Sequence, residues 1–235
     1  EEGLPWFLEE LNETTYGRRY GECVALGAGT GVGKTTFVTQ QIASDLSRGP
    51  VAVFALEQLP TETVLRVCGM LKDKPYHIPG ADRTGLRKTL EGIDNLYMYD
   101  SFGSTEWEVI KERIRYLAHH HDVRIFYLDH LTALAAHADD ERKALESIMA
   151  DIGGLVKELN IWLLFVSHLA TPDGKPHEEG GRVMARHFKG SRSIAFWSHF
   201  MLGIERAQQA DTEDERSTST LRVLKDRYTG RATGQ

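Results

Sequence analysis

The chain has 235 residues, 41% hydrophobic and 26% charged, which is the profile of a globular protein with enough apolar sequence for a sizeable core. A net charge of −6 argues against a surface that coats nucleic acid wholesale, while leaving room for a local basic channel. No run of about 18 apolar residues occurs, and Cys23 and Cys68 lack metal-ligand spacing, so buried thiols in a reducing, cytoplasmic setting are expected. The chain opens on Glu1 with no signal-like segment, which predicts a fragment of a longer chain or a processed one.

In chain order, Trp6, Phe7 and Leu8 form the first apolar cluster. It either docks on a neighbouring chain or packs on its own domain. Short apolar runs then follow at Val24–Leu26, Val51–Leu56, Leu96–Met98, Ile125–Leu128, Ile161–Val166, Phe200–Ile204 and Leu221–Leu224. Several are nearly continuous, as in strands buried on both faces of a parallel sheet. Helical periodicity separates them. Trp107, Ile110, Ile114 and Leu117 make one apolar stripe, and the series from Leu145 to Leu159 makes another after acidic Asp139, Asp140 and Glu141. Gly153 and Gly154 interrupt the second series, which implies either a break or a close approach. Alternating strand and helix signals predict an α/β domain with a mostly parallel central sheet flanked by helices. The Pro/Gly-rich stretch 72–85 and segment 171–181 have no regular pattern, and acidic residues 210–216 predict a solvated turn between the last two strands.

The stretch "GAGTGVGKTT", residues 27–36, follows the first predicted strand and precedes a helical pattern from Lys34 to about Leu46. That is the setting of a phosphate-binding loop, even though Ala28 stands where the strict pattern has glycine. Ala28, Gly29, Thr30, Gly31, Val32, Gly33, Lys34, Thr35 and Thr36 are the expected nucleotide contacts. Backbone N–H groups and the helix start would hold phosphate, Lys34 would add a positive charge, and the Thr35 hydroxyl suits Mg2+. Ala28 needs only a negative φ to serve in place of glycine. Asp129, ending "RIFYLD", is the second expected magnesium ligand. Glu57 ends the strand after the loop helix, where it either acts on a water molecule or is a helix cap or surface charge. His168 ends "WLLFVSH", where it either senses the terminal phosphate or is a satisfied polar residue at a strand end. Strand C-termini gather at one crevice in an open parallel sheet, so these groups should converge. The run His119–His120–His121 reads as a solvated helix end, since adjacent helical residues point apart.

In order, the P-loop, "ALE", "LDH", "SHL…PHEEGG", "KGSRSI" and "LKDRYTG" resemble the RecA-type helicase domain of hexameric replicative helicases, and "YDSF" (99–102) and "DERK" (140–143) add to that likeness. The resemblance is strongest to the helicase half of phage primase–helicases and mitochondrial Twinkle, with bacterial DnaB helicases more distant. It covers about residues 11–230. It implies a RecA-like P-loop fold, with residues 1–15 a linker segment and residues 16–235 the ATPase domain. It further implies hydrolysis of ATP or dTTP with Mg2+, a homo-oligomeric, hexameric ring, 5′-to-3′ travel on single-stranded DNA, unwinding of forked DNA, and a primase domain or partner. Roles follow by position. Glu57 would be the catalytic base and His168 the phosphate sensor. Lys225 and Arg227 would reach into the neighbouring subunit's site, with Arg227 as the arginine finger, and Arg206 would lie near the nucleotide. Segment 170–192 has five Lys or Arg against three Asp or Glu, a weak signal by itself. The resemblance makes Lys175, Lys189, Gly190, Ser191 and Arg192 the expected DNA contacts. Readings from other classes are a recombination ATPase that forms filaments on DNA, and an ATP-gated DNA-binding module that does not unwind.

Overall fold

A computed structural model describes residues 3–100, 106–136 and 138–235; part of "YDSF" lies outside them. The elements run α1 (Glu9–Thr15), β1 (Cys23–Ala28), α2 (Lys34–Asp45), β2 (Val51–Ala55), α3 (Pro60–Lys72), α4 (Leu86–Glu91), β3 (Leu96–Tyr99), α5 (Trp107–His120), β4 (Ile125–Asp129), α6 (Glu141–Glu158), β5 (Trp162–Ser167), α7 (Ser191–Trp197), β6 (Phe200–Glu205), α8 (Glu213–Ser217) and β7 (Thr220–Asp226). All seven expected strands are present, in one sheet of order β3-β2-β4-β5-β1-β6-β7. Every pairing is parallel except the antiparallel pair of β6 and β7. Among the described residues, no helix is long and apolar enough to cross a membrane.

Continuous apolar runs become strands here because helices cover both sheet faces. In β1, Cys23 and Ala25 enter one core while Val24, Leu26 and Ala28 enter the other. In β5, Leu163 and Phe165 oppose Trp162, Leu164 and Val166 in the same way, as the period of two requires. The first core is closed by α5 (Trp107, Ile110, Ile114), α6 (Leu145, Ile148, Ile152) and Ile194 of α7. The second is closed by Leu11 of α1, Phe37 and Ile42 of α2 and Val67 of α3. Trp6 also packs in this second core, 5.7 Å from the Trp162 ring and 6.3 Å from Phe37.

Asp140 caps α6 by accepting from the Lys143 N–H at 3.0 Å. Gly153 and Gly154 do not break this helix. A Cβ on Gly153 would lie 2.4 Å from the Trp197 ring, so glycine there lets α7 pack closely on α6. Segment 210–216 differs from the expected turn. Residues 213–217 form α8, because the Thr212 hydroxyl accepts from the Glu215 N–H at 3.3 Å and three acidic residues occupy the first turn. Ser191 and Arg192 open α7.

A buried polar cluster fixes the loop helix α2 to its surroundings. Arg18, fully buried, donates to both carboxylate oxygens of Asp45, the last residue of α2, at 2.9 and 2.5 Å. It also donates to the Pro5 carbonyl at 2.6 Å. The Tyr127 hydroxyl of β4 donates to Asp45 at 2.5 Å, and Gln41 links Asp45 to the Phe7 N–H. Arg18→Ala strands a buried carboxylate and should lower unfolding free energy by about 3–5 kcal/mol. Chemical denaturation tests this, and a loss below about 1 kcal/mol, the worth of an exposed pair, would refute the cluster's role.

Candidate nucleotide site

Strand order decides which side chains meet. From β1 the sheet passes through β5, β4 and β2. The loop after β1, His168 after β5, Asp129 at the end of β4 and Glu57 after β2 therefore sit along one edge, at the strands' C-terminal ends. The sheet connection reverses sense at β1, where open α/β sheets form ligand crevices.

Ala28 closes β1, paired with Ile204, and keeps a negative φ. Glycine's conformational freedom is not needed there, and the departure from the strict pattern leaves the loop geometry intact. Gly33, by contrast, has φ 123°, a conformation for which glycine is suited. It turns the chain into α2, whose first N–H groups have no side-chain cap. Val32 is buried beneath the loop, while Thr30, Gly31 and Thr36 face solvent. Uncapped N–H groups with Lys34 at the first helical position make an anion site.

Lys34 is largely desolvated, which lowers its pKa, and nearby Asp129 and Glu57 pull it back upward. Burial raises the Asp129 carboxyl against the attraction of Lys34. Thr35 and Asp129 line one small cleft between α2 and the sheet, and Lys34, His130 and Glu57 are the charged or titratable groups that act on the Asp129 carboxyl. A hydroxyl beside a carboxylate is the hard-oxygen donor set that suits magnesium. Burial, then His130 and Lys34, push His168 down to about 4, so its imidazole is neutral at neutral pH.

Glu57 is half exposed and lies between two imidazoles. One carboxylate oxygen is 2.7 Å from His130 Nε2, and the other is 3.8 Å from His168 Nε2. The His130 and His168 rings stack with centroids 3.8 Å apart. Sequence pattern alone gives His130 no role. The available signal was positional: it follows the last residue of β4 just as His168 follows the last residue of β5.

Segment 170–192 folds back over this edge. Leu169 pairs with Phe188, and the Lys189 N–H donates to the His168 carbonyl at 3.1 Å. The exposed Lys189 side chain therefore lines the same cleft as Lys34, His168 and the loop. The Thr30 N–H of the loop donates to Glu178 at 3.2 Å, and Gln208 Nε2 donates to the Thr30 carbonyl at 2.8 Å. Neither contact is marked in the sequence. Lys189, Gly190, Ser191 and Arg192 border a second cleft against the start of α6. Lys175 lines a third cleft with Arg206, whose Nε donates to the Arg216 carbonyl. Near the sheet's other edge, Lys225 bonds the Ala195 and Ser198 carbonyls and exposed Arg227 bonds that of Phe196, at the C-terminal end of α7.

A phosphate loop entering a helix, with two carboxylates and a histidine at the C-terminal edge of a mostly parallel sheet, defines a RecA-like P-loop ATPase domain. Within that class, residues 3–233 match the family described as the DnaB-like helicase C terminal domain, and the chain belongs to it. It is 30% identical over 234 residues to the DNA helicase/primase of Enterobacteria phage T3, a match covering 94% of this chain and 41% of that protein. It is 27% identical over 180 residues to the replicative DNA helicase DnaB of Helicobacter pylori (strain J99), covering 71% and 37% respectively. The chain thus spans less than half the length of these relatives. Its fold is similar to a structure described as a DnaB-like replicative helicase and its interactions with primase, with TM-score 0.81, 20% identity and coverage of 96% of this chain and 57% of that one. A second solved structure, described as an ATPase domain, gives TM-score 0.78 at 20% identity, covering 96% of this chain and 84% of that one.

Proposed function

We propose that this chain is the motor domain of a replicative DNA helicase. It hydrolyses ATP or dTTP at a site completed by a neighbouring copy in a ring of six. Hydrolysis drives 5′-to-3′ travel on single-stranded DNA and opens forked duplex. The domain works in the cytoplasm of a bacterial or phage-infected cell, beside a primase domain or partner. Residues 1–15 serve as a connecting segment and residues 16–235 as the ATPase domain.

The observation that carries this reading is the backbone bond from Lys189 to His168. It joins the basic segment to the edge where Lys34, Glu57 and Asp129 meet. In the proposed reaction, Lys34 and the loop N–H groups hold the triphosphate. Thr35 and Asp129 are placed to hold magnesium, which when bound neutralises phosphate charge. Glu57 takes a proton from the attacking water. His168 hydrogen-bonds the terminal phosphate, and loss of that phosphate alters the strand end to which Lys189 is bonded. Lys189, Gly190, Ser191 and Arg192 grip DNA phosphates, with Lys175 contributing from its separate cleft. Arg206 lies towards the nucleotide. A ring repeats each modest contact, so a small positive charge per copy suffices.

Electron microscopy of the chain with nucleotide and forked DNA separates this from the filament reading. Closed rings around a single strand are the expected result. Open helical filaments would favour a recombination ATPase, and DNA-stimulated hydrolysis without strand separation would favour a binding module.

A further inference from the structure

The His130 side chain is only 6% exposed, and its Nε2 has no aligned hydrogen-bond partner. The nearest carboxylate oxygen belongs to Glu57, 2.7 Å away but out of line with the ring. On the other side of the ring, Nδ1 lies 2.5 Å from the hydroxyl of buried Thr132. If that hydroxyl donates to Nδ1, the ring proton sits on Nε2 and faces Glu57. A small swing of the half-exposed Glu57 completes the bond and satisfies the buried nitrogen, which otherwise carries a desolvation cost.

We propose that His130 is the positioning residue for Glu57: Thr132 fixes its tautomer, its Nε2–H holds one carboxylate oxygen, and its ring stacks on His168. The proposal rests on Glu57 being the base. Anchoring one oxygen leaves the other, which faces His168, directed towards the water and the terminal phosphate. The stacked rings also tie base and sensor together: His168 cannot turn on phosphate release without displacing the ring that anchors Glu57. A carboxylate as exposed as Glu57 would otherwise sample several rotamers, and misplacement by about 1 Å can lower a rate by about 100-fold.

The test is DNA-stimulated hydrolysis by variants of the chain, each checked for melting temperature and nucleotide affinity. His130→Ala should lower kcat by roughly ten- to hundred-fold and leave KM for nucleotide within about two-fold, because an interaction made in the transition state is lost. His130→Gln, whose amide nitrogen falls near the imidazole Nε2, should restore much of the rate. His130→Asn reaches only the Nδ1 position and should not. Thr132→Val, which leaves the ring in place, should give a smaller fall in kcat. In a Glu57→Gln background, His130→Ala should add no further loss, since its effect passes through Glu57. Restoration by Asn as good as by Gln, equal loss in all three His130 variants, or an additive effect in the Glu57→Gln background overturns the proposal. If His130→Ala does not fold, an unchanged kcat in Thr132→Val overturns it instead. Wild-type turnover by Glu57→Gln alone overturns the base reading, whereas an inactive Glu57→Gln beside a fully active His130→Ala overturns only the positioning role.

Discussion

Lys34→Ala is expected to raise the nucleotide dissociation constant by about ten- to hundred-fold, the worth of one lost charge-assisted contact. Its effect on turnover should be larger, with kcat falling by at least about 100-fold, since charge on the transferring phosphoryl group grows towards the transition state. The site geometry supplies the reason. Lys34 is the cation that Asp129 and Glu57 stabilise against burial. Its removal takes away the attraction for phosphate and also leaves two carboxylates facing a polyanion. Titration of a fluorescent nucleotide and phosphate release in the presence of DNA measure both effects. Affinity and turnover within about two-fold of wild type would show that phosphate does not bind at this loop. Lys34→Arg is expected to fail as well, because a planar fork does not replace a compact ammonium in a loop built around it.

Arg227→Ala should leave nucleotide affinity unchanged yet lower DNA-stimulated hydrolysis by about 1,000-fold or more, as expected for an arginine finger supplied from another subunit. Arg227 follows the end of antiparallel β7 beside the start of β6, where its N–H donates to the His199 carbonyl, so it lies at the opposite end of the strands from its own chain's loop, and its side chain is exposed. It rests on the Phe196 carbonyl at the end of α7, where the helix dipole favours a cation. Lys225 is held more firmly there by two carbonyls, and burial beside Arg227 lowers it to about 8. Hence Arg227 is the freer of the two to reach a neighbour, while Lys225 must first leave α7. The same helix begins with Ser191 and Arg192, so the expected DNA contacts and the finger pair occupy opposite ends of seven residues. Mixing Arg227→Ala with Lys34→Ala chains is a direct measure. Rings with both chains contain some sites with an intact loop facing an intact finger, and they should regain activity that neither variant has alone. Retained turnover by Arg227→Ala would remove the trans role.

Much of the fold was legible because helices on both faces leave each strand as an apolar run. Seven such runs became seven strands, each within a residue or two of its expected bounds. The phosphate loop was legible for a different reason: its glycines, Lys34 and Thr35 are contiguous, and its chemistry depends on local backbone. Short helices were less legible. Seven-residue α7 and five-residue α8 carry too few turns for a periodic pattern, and their caps decide them. Buried partnerships were illegible. Nothing about Arg18, Asp45 and Tyr127 in sequence marks them as one cluster, since residues 18, 45 and 127 meet only through packing.

From residue order and pattern alone, this is a nucleotide-binding α/β chain whose chemical groups include Glu57, Asp129 and His168, each at the end of an apolar run. How those groups relate is a product of packing. The strand order, which departs from chain order, sets β4 between β2 and β5, so His130 touches both Glu57 and His168. The physical reason is that local pattern fixes which residues form a strand or loop, whereas neighbours across a sheet are chosen by the burial of whole faces.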